Sequence, residues 1–435
     1  MIASPNCALA ERVATSMRRY WSIILPLALL SALCLTSGCI QKPSAATVES
    51  ASKETAASTA ATVTVPAGMP MWLGNPARSF YGSGPWANAP LAVAWEFKTK
   101  AATGRLHSNQ AWAGSGWPGQ PAVVGDRVYF GSADSYVYCM SAKTGEVVWS
   151  YKTGDSAKSS PAVVGDRLVI GNLDNHIYCL NTADGSLVWK YKTGFETDSS
   201  PAIVDGRVYI GGEDGFYYCL DLSDGKLIFK TALNGSVEGG TTIVDGRIYV
   251  DTEAGELFCL NMSDGAVVWK ARIGADSNST PAVANGLVYT AAEDGFVSCF
   301  RQATGELVWK FKAEGGLNQR TEDKSGFWAS PVVHNGRVLI GSNNGFMYCL
   351  SSEDGKLIWR YQSRAAIWGT GPVADGRVVF GDKAGWLYLL KAEDGSLVQE
   401  IQLGENIDAT PAVSGGRVYV GAFMGKLYCL AAPGA

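Results

Sequence analysis

A unit of about 40 residues recurs down most of this chain, and it constrains the fold more than any other feature. The runs at 161–193 and 201–231 are near copies: each begins with proline and passes through the same turn and strand residues. The repeat prolines are Pro121, Pro161, Pro201, Pro281, Pro331, Pro372 and Pro411, with Thr241 at the place of the missing one. A period of this length, with four short strands in each unit, predicts the blades of a β-propeller.

One unit shows how the strands are placed. We predict strand A at 161–164, and in the next unit strand B at 207–211, strand C at 216–220 and strand D at 226–230. Gly-Asp or Asp-Gly pairs lie between them and favour tight hairpin turns. Strand C is apolar on both faces, with Tyr178 and Leu180 on one side and Ile177 and Cys179 on the other. A sheet of that kind must be covered on both sides, as a blade is by its two neighbours.

The last unit, from Pro411, lacks a strand D, and the N-terminal run 91–99 matches the missing strand. Pairing this run with the last unit would close the ring and leave no open edge. We therefore predict an all-β fold: an eight-bladed, rather than seven-bladed, β-propeller. Its blades are four-stranded and antiparallel, and an N-terminal strand completes the last blade.

The N-terminal region resembles an export signal. Residues 17–39 contain two arginines, an apolar run and then Thr36-Ser37-Gly38-Cys39, which is similar to a bacterial lipobox. We expect a signal peptide over 1–38, with Met17 as an alternative start, and lipidation of Cys39. Residues 39–70, rich in Ala, Ser and Thr, then form a flexible tether, and residues 71–435 form the propeller.

Seven of the ten cysteines share one position in strand C: Cys139, Cys179, Cys219, Cys259, Cys299, Cys349 and Cys429. A ring of metal or redox ligands is one interpretation, and small buried packing residues are the other. Stacked sheets lie about 10 Å apart, too far for a disulfide between blades. We predict buried free thiols.

Two connections between strand D of one unit and strand A of the next are long, at 100–120 and 311–330. Because connections of this type emerge on one face of the ring, they predict a binding face. Its candidate residues are Trp112, Trp117, Phe195, Asp198, Arg320, Phe327, Trp328 and Trp368. The aromatic residues, expected to be exposed, either recognise a partner or fold back to cap the central channel.

Sites of other kinds are not indicated. The three histidines lie in different units without zinc-ligand spacing, and no nucleophile elbow or phosphate-binding glycine loop is present. Acidic turns such as Glu213-Asp214-Gly215 are interpreted as plain hairpin turns, not calcium loops. Lysines and arginines recur singly, so no nucleic-acid footprint is seen. We expect no catalytic residues, no metal and no cofactor.

The run from Ala142 to Trp149, its Asp-Gly variants and their recurrence over 91–430 resemble the pyrroloquinoline-quinone-type (PQQ-like) propeller repeat. This family includes quinone-dependent dehydrogenases and the propeller lipoprotein of the outer-membrane β-barrel assembly machinery. The dehydrogenases carry an adjacent Cys-Cys pair and further motifs that this sequence lacks. In its layout of signal, cysteine, tether and eight units, the chain is more similar to the lipoprotein.

The resemblance implies a non-enzymatic, membrane-tethered scaffold or adaptor of the cell envelope. We expect an exported monomer, held on the periplasmic side or the outer surface by its lipid anchor alone. It would bind an envelope protein partner, with outer-membrane protein assembly as one setting. Two alternatives stay open: a quinoprotein dehydrogenase using PQQ and calcium, and a glycan- or peptide-binding module.

Overall fold

The structure is a computed structural model that describes residues 68–69, 71–78, 81–82, 90–100, 119–314, 326–423 and 425–434. These residues form eight sheets, one for each blade of a propeller. The predicted all-β, eight-bladed fold is confirmed. No helix among the described residues is long and apolar enough to cross a membrane.

The strands of blades 1 to 4 are as follows. Blade 1 contains β1 (Gly68–Met69), β4 (Ala122–Val124), β5 (Arg127–Gly131), β6 (Tyr136–Ser141) and β7 (Val147–Lys152). Blade 2 contains β8 (Ala162–Val164), β9 (Arg167–Asn172), β10 (His176–Asn181) and β11 (Leu187–Lys192). Blade 3 contains β12 (Ala202–Val204), β13 (Arg207–Gly211), β14 (Phe216–Asp221) and β15 (Leu227–Ala232). Blade 4 contains β16 (Thr242–Val244), β17 (Arg247–Asp251), β18 (Glu256–Asn261) and β19 (Val267–Arg272).

Blades 5 to 8 complete the ring. Blade 5 contains β20 (Ala282–Ala284), β21 (Leu287–Ala291), β22 (Phe296–Arg301) and β23 (Leu307–Lys312). Blade 6 contains β24 (Val332–His334), β25 (Arg337–Gly341), β26 (Phe346–Ser351) and β27 (Leu357–Gln362). Blade 7 contains β2 (Tyr81–Gly82), β28 (Thr370–Ala374), β29 (Arg377–Gly381), β30 (Trp386–Lys391) and β31 (Leu397–Gln402). Blade 8 contains β3 (Ala92–Lys98), β32 (Ala412–Ser414), β33 (Arg417–Ala422) and β34 (Lys426–Ala431).

Of the four repeat strands in each blade, the short strand A lies nearest the axis, since successive A strands contact one another. In blades 1 and 7, β1 and β2 add a further short strand to the free edge of strand A. The blade then runs outwards in chain order through antiparallel pairs, as in blade 3, where Cys219 faces Tyr209 on one side and Phe229 on the other. Because neighbouring strands are antiparallel, the connections from D to A and from B to C emerge on one face. The turns from A to B and from C to D emerge on the opposite face.

The N-terminal strand closes the ring. β3 pairs antiparallel with β34 of the last unit, and Trp95 faces Cys429 across that pair. This is the predicted closure. It leaves blade 8 as a sheet in the order β3-β34-β33-β32, so its outermost strand comes from the opposite end of the chain to the other three.

The seven predicted strand C thiols are all free and buried. In blade 2, Cys179 packs among Ile177 of its own strand and Val208 and Ile210 of blade 3, inside one apolar cluster. Burial raises the pKa of the Cys179 thiol to about 12, which keeps it protonated and unreactive at neutral pH. The thiols are therefore packing residues between blades, and the predicted two-faced burial of strand C is confirmed.

Blade 4 contains one buried carboxylate that breaks the repeat. Asp251 ends β17 at a position where blade 3 has Gly211, and it is fully buried. Its Oδ2 accepts hydrogen bonds from the hydroxyls of Ser277 and Thr290, while its Oδ1 has no hydrogen-bond partner among the described residues. Desolvation raises the pKa of Asp251 to about 7.

Asp251→Asn is expected to stabilise the protein at pH 8 by about 2 kcal/mol and to have little effect at pH 4. The folded-state pKa of Asp251 lies above the usual value of an aspartate, 3.8, so the wild type loses stability as pH rises from about 4 through about 7. The neutral amide removes that loss. Urea unfolding at pH 4, 6 and 8 measures the change in the free energy of unfolding, and Asp166→Asn at an exposed turn is the control. An equal effect of Asp251→Asn at every pH would contradict the assignment.

Candidate functional site at the channel mouth

A short N-terminal segment fills the centre of the ring. We call residues 71–78 the channel plug; it includes a 3₁₀ helix at Trp72–Gly74. Met71 packs among residues of blades 2 and 3, whereas Trp72 and Leu73 pack among residues of blades 6 and 7. The plug therefore reaches across the channel, a role that the sequence did not reveal. Gly68–Met69, placed in the tether by the sequence, already pairs with β4.

Arg78 fixes the end of the plug. Its guanidinium donates to the carbonyl oxygens of Trp72 at 2.6 Å, Thr241 at 2.6 Å and Pro201 at 3.2 Å. The side chain is almost fully buried, and desolvation lowers the pKa of Arg78 to about 9. It remains a cation at neutral pH, held by backbone oxygens of the plug and of two blades.

Gln120 anchors the other end of the plug. Its side-chain oxygen accepts from the Leu73 backbone N–H at 2.7 Å, and its amide nitrogen donates to the carbonyl of Pro411 at 2.6 Å. The plug also accepts a bond from blade 4, where the Ile243 N–H donates to the carbonyl of Pro76 at 2.8 Å. Bonds to blades on several sides hold this segment in a single position.

Hydroxyl groups before the repeat prolines link the D-to-A connections of neighbouring blades. Ser159 Oγ donates to the carbonyl of Ser199 at 2.8 Å, and Ser199 Oγ donates to that of Gly239 at 2.7 Å. Further round, the Gly240 N–H donates to Thr280 Oγ1 at 2.7 Å. These bonds join residues 40 positions apart and make the loop face around the axis a rigid rim.

One position of the repeat converges on the channel mouth. The residue three places before the repeat proline, or four in blade 7, lies at the axis end of each D-to-A connection. Its occupants in successive described units are Lys158, Asp198, Glu238, Asn278, Trp328, Trp368 and Asp408. All but the last line one small cavity of about 30 Å³, whose walls also include Trp72 of the plug. We call this space the mouth cavity.

Asp198 and Glu238 line one side of the mouth cavity, and Glu213, which does not line it, completes an acidic cluster with them. Carboxylate oxygens of Asp198, Glu213 and Glu238 lie within 4.8 Å of one another, close enough to hold a cation together. Desolvation first, and mutual repulsion second, raise the pKa of Glu213 and Glu238. The pKa of Asp198 is also raised by burial, and the ammonium of Lys158, 3.8 Å away, opposes this. The cluster thus carries more acidic groups than nearby cations.

Aromatic groups form the other side. The rings of Trp328 and Trp368 are 4.3 Å apart between centroids and tilted by 43°. The ammonium of Lys383 lies 3.0 Å from the centroid of Trp368 and 4.0 Å from Asp408 Oδ1. An ammonium against an indole face is a cation–π contact, so this part of the mouth already binds a cation from within the chain.

Several polar atoms at the mouth cavity have no hydrogen-bond partner among the described residues. They are Asp198 Oδ1, Asn278 Oδ1 and Trp72 Nε1. The side chain of Asp198 is only 7% exposed, so its unpartnered oxygen is withdrawn from bulk water. Buried polar atoms without partners carry a free-energy cost and commonly mark the place of a bound water or ligand.

The structure brings three of the predicted face residues together, since Asp198, Trp328 and Trp368 line the mouth cavity. Phe195 lies on the same face and is 40% exposed, but it does not line the cavity. Phe327 corrects an expectation: it is fully buried and packs 6.1 Å from Tyr348, because its side chain points between blades 5 and 6. Cys39, Trp112, Trp117 and Arg320 lie outside the described residues.

Glu213 was interpreted as part of a plain turn, and this was incomplete. Its neighbour Asp214 does have the turn role, since Oδ1 accepts from the Phe216 N–H at 3.2 Å across the turn. Glu213 instead reaches the acidic cluster, because B-to-C turns emerge on the same face as D-to-A connections. Asn278 could have been found from the sequence by aligning the units on their prolines.

The mouth cavity does not fit a quinone cofactor. Cofactor sites usually have volumes of about 300 Å³ or more, roughly ten times the space enclosed here. Trp72 of the plug forms part of the cavity wall. A larger site would require the plug to break its hydrogen bond to Gln120 and those from Arg78 to the blades. The three carboxylates offer the oxygen ligands that calcium prefers, but no room for an organic group beside the ion.

Comparison with solved structures finds BamB and dehydrogenases among the similar folds. BamB from Moraxella catarrhalis superposes with a TM-score of 0.63 at 17% identity, covering 80% of this chain and 99% of BamB. Quinohemoprotein alcohol dehydrogenase from Comamonas testosteroni gives a TM-score of 0.70 at 15% identity, covering 84% of this chain and 80% of the enzyme. A europium-containing methanol dehydrogenase gives 0.69 at 13% identity, covering 85% and 98%. A comparison with curated proteins found no match.

Fold and repeat together define an eight-bladed β-propeller of the PQQ-like class. Residues 163–432 match the family described as "Beta-alanine-activating enzyme, beta-propeller". The chain belongs to that propeller family. At 13–17% identity, the likeness to the solved structures establishes the fold alone. It does not decide between a scaffold and an enzyme.

Proposed function

We propose that this protein is a non-enzymatic scaffold or adaptor of the cell envelope, tethered to a membrane through lipidated Cys39. It binds an envelope protein partner through the face formed by the D-to-A connections, with outer-membrane protein assembly as its setting. The observation that carries the proposal is the filled channel. The plug occupies the space on the axis, and the remaining cavity of about 30 Å³ is too small for the quinone of a dehydrogenase.

The loop face has the properties of a binding surface. Its rim is fixed by hydroxyl bonds between blades, so a partner would meet a preformed surface and would lose little entropy in ordering it. Exposed Phe195 and the half-buried pair Trp328 and Trp368 supply aromatic groups, which are enriched where proteins bind one another. Glu238 and Asp198 add negative charge at the centre.

Site-specific photo-crosslinking in the native host tests this assignment of the face. A photoreactive residue at Phe195 is expected to yield a crosslinked protein adduct in membranes. The same residue at Val164 is the matched control, because Val164 is 41% exposed against 40% for Phe195 but ends strand A on the opposite face. Adducts from Val164 alone, or equal adducts from both positions, would assign binding to another surface.

Two further outcomes would replace the proposal. Dye-linked oxidation of alcohols or sugars by the purified chain after addition of PQQ and calcium would establish a quinoprotein enzyme. Specific retention of the chain on a glycan array, together with no crosslinked protein from Phe195, would establish a carbohydrate-binding module.

A further inference from the structure

We propose that the mouth cavity is a receptor for a single ammonium group, the side-chain end of a lysine presented by the protein partner. This inference rests on the proposed function and names the chemistry by which the loop face would recognise its partner. It is carried by three features of one small space: an excess of carboxylates, unpartnered buried oxygens and an aromatic wall.

Charge is the first feature. The oxygens of Asp198, Glu213 and Glu238 meet within 4.8 Å, and the one described cation beside them, Lys158, is 3.8 Å from Asp198. Desolvation first, and repulsion between like charges second, favour protonation of some members and raise the pKa of Glu213 and Glu238. A cation that enters the cavity replaces those protons and removes the repulsion.

Unpartnered oxygens are the second feature. Asp198 and Asn278 both line the cavity. Their buried atoms Asp198 Oδ1 and Asn278 Oδ1 accept no hydrogen bond from the described residues. The side chain of Asp198 is 93% buried, as its exposed fraction is 7%. An ammonium group has three N–H donors and no acceptor, so it can bond these oxygens and a carboxylate of the cluster at once. A water molecule could bond the same oxygens, but it brings no charge.

Size and the aromatic wall are the third feature. A cavity of about 30 Å³ admits groups of the size of a water molecule, and an ammonium group is of that size, whereas a planar guanidinium is larger. Trp328 and Trp368 line the same space and can contact the methylene stem of a lysine. Indole faces attract organic ammonium groups, as Lys383 over Trp368 demonstrates, and favour them over strongly hydrated metal ions.

Binding of a lysine probe to the purified full-length chain tests the inference. The probe is an N-acetylated Gly-Lys-Gly amide, measured by isothermal titration at low salt. Its Nζ-acetylated form is the uncharged control. We expect saturable binding of the lysine peptide and at least a tenfold weaker response to the acetylated one. Calcium chloride and the corresponding arginine peptide are titrated in parallel.

Two variants locate the binding. Asp198→Asn is expected to weaken lysine-peptide binding at least tenfold by removing the buried charge. Asp251→Asn is the control: it removes the charge of a carboxylate that is also buried but does not line the cavity. The affinity of this control variant for the lysine peptide is expected to stay within twofold of that of the wild type. Thermal unfolding of both variants verifies that they fold.

Several outcomes would overturn the inference. They are equal binding of the charged and acetylated peptides, tighter binding of calcium or of the arginine peptide than of the lysine peptide, no binding of any probe, and equal losses in the two variants. The proposed function is judged separately. If Phe195 crosslinks a partner and Asp198→Asn leaves the adduct unchanged, only the lysine receptor fails. If Phe195 gives no adduct, the scaffold assignment fails whatever the peptides do.

Discussion

Arg78→Met is expected to lower the free energy of unfolding by about 3 kcal/mol. Methionine keeps most of the apolar stem but donates no hydrogen bonds, so the carbonyls of Trp72, Pro201 and Thr241 lose the donors that Arg78 supplies. Each buried carbonyl without a partner costs about 1–3 kcal/mol, less where water can enter. Removing the buried charge of Arg78 returns some stability. We expect the loss of hydrogen bonds to be larger, because all three carbonyls would remain buried without a donor.

Chemical denaturation of the full-length chain measures this effect. Arg127→Met is the matched control, because it makes the same change at an arginine whose side chain is 36% exposed, and it should cost less than about 0.5 kcal/mol. Arg78→Lys should lie between the wild type and the methionine variant, since one ammonium cannot match the spread of the guanidinium fork. A methionine variant as stable as the wild type would contradict this. It would mean that burying the charge of Arg78 destabilises the protein as much as its hydrogen bonds stabilise it.

Gly185→Ala is expected to destabilise the protein by about 3 kcal/mol, through two separate effects. Gly185 has φ +74, a conformation that costs an alanine about 1–2 kcal/mol. A Cβ at Gly185 would also lie 2.5 Å from the ring of Trp149 in the preceding blade. That ring is held in place, since Trp149 Nε1 donates to the Thr182 carbonyl at 2.9 Å.

Gly165→Ala separates the two effects. Gly165 lies in another turn of the same blade, has φ +58, and has nothing within 4 Å of the position where a Cβ would be. It should therefore lose only the backbone contribution, about 1–2 kcal/mol. Thermal or urea unfolding of both variants gives the difference. Equal losses of stability in the two variants would mean that the Trp149 ring moves aside for the new Cβ at Gly185 without any loss of free energy.

This contact explains a sequence motif that was at first only a marker of resemblance. The glycine of a C-to-D turn lies under a strand D aromatic ring of the preceding blade, as with Gly145 under Trp95 and Gly225 under Trp189. The ring is a tryptophan except in blade 4, where Gly265 lies under Phe229. The indole N–H of Trp95 then donates to the Ala142 carbonyl at 3.2 Å. Glycine and tryptophan recur because they are the two halves of one inter-blade contact.

Much of the candidate site was open to prediction and part of it was not. The face was predicted from the type of connection, and Asp198, Trp328 and Trp368 do meet there. The burial of Phe327 was missed because a loop aromatic beside a long insertion looks the same in sequence whether it points outwards or between blades. The roles of Trp72 and Arg78 were missed because the plug is outside the repeat, and no periodicity places such a segment.

The sequence by itself determined the ring: the number of blades, the strands within each, the buried thiols and the closure by residues 92–98. It could do so because each blade is stabilised by contacts that recur at a fixed spacing, and local patterns report such contacts directly. The tertiary structure alone decided what lies at the axis. There, single residues from many units and from the N-terminal segment meet, and their burial, charge and free volume depend on contacts between parts of the chain that share no sequence pattern.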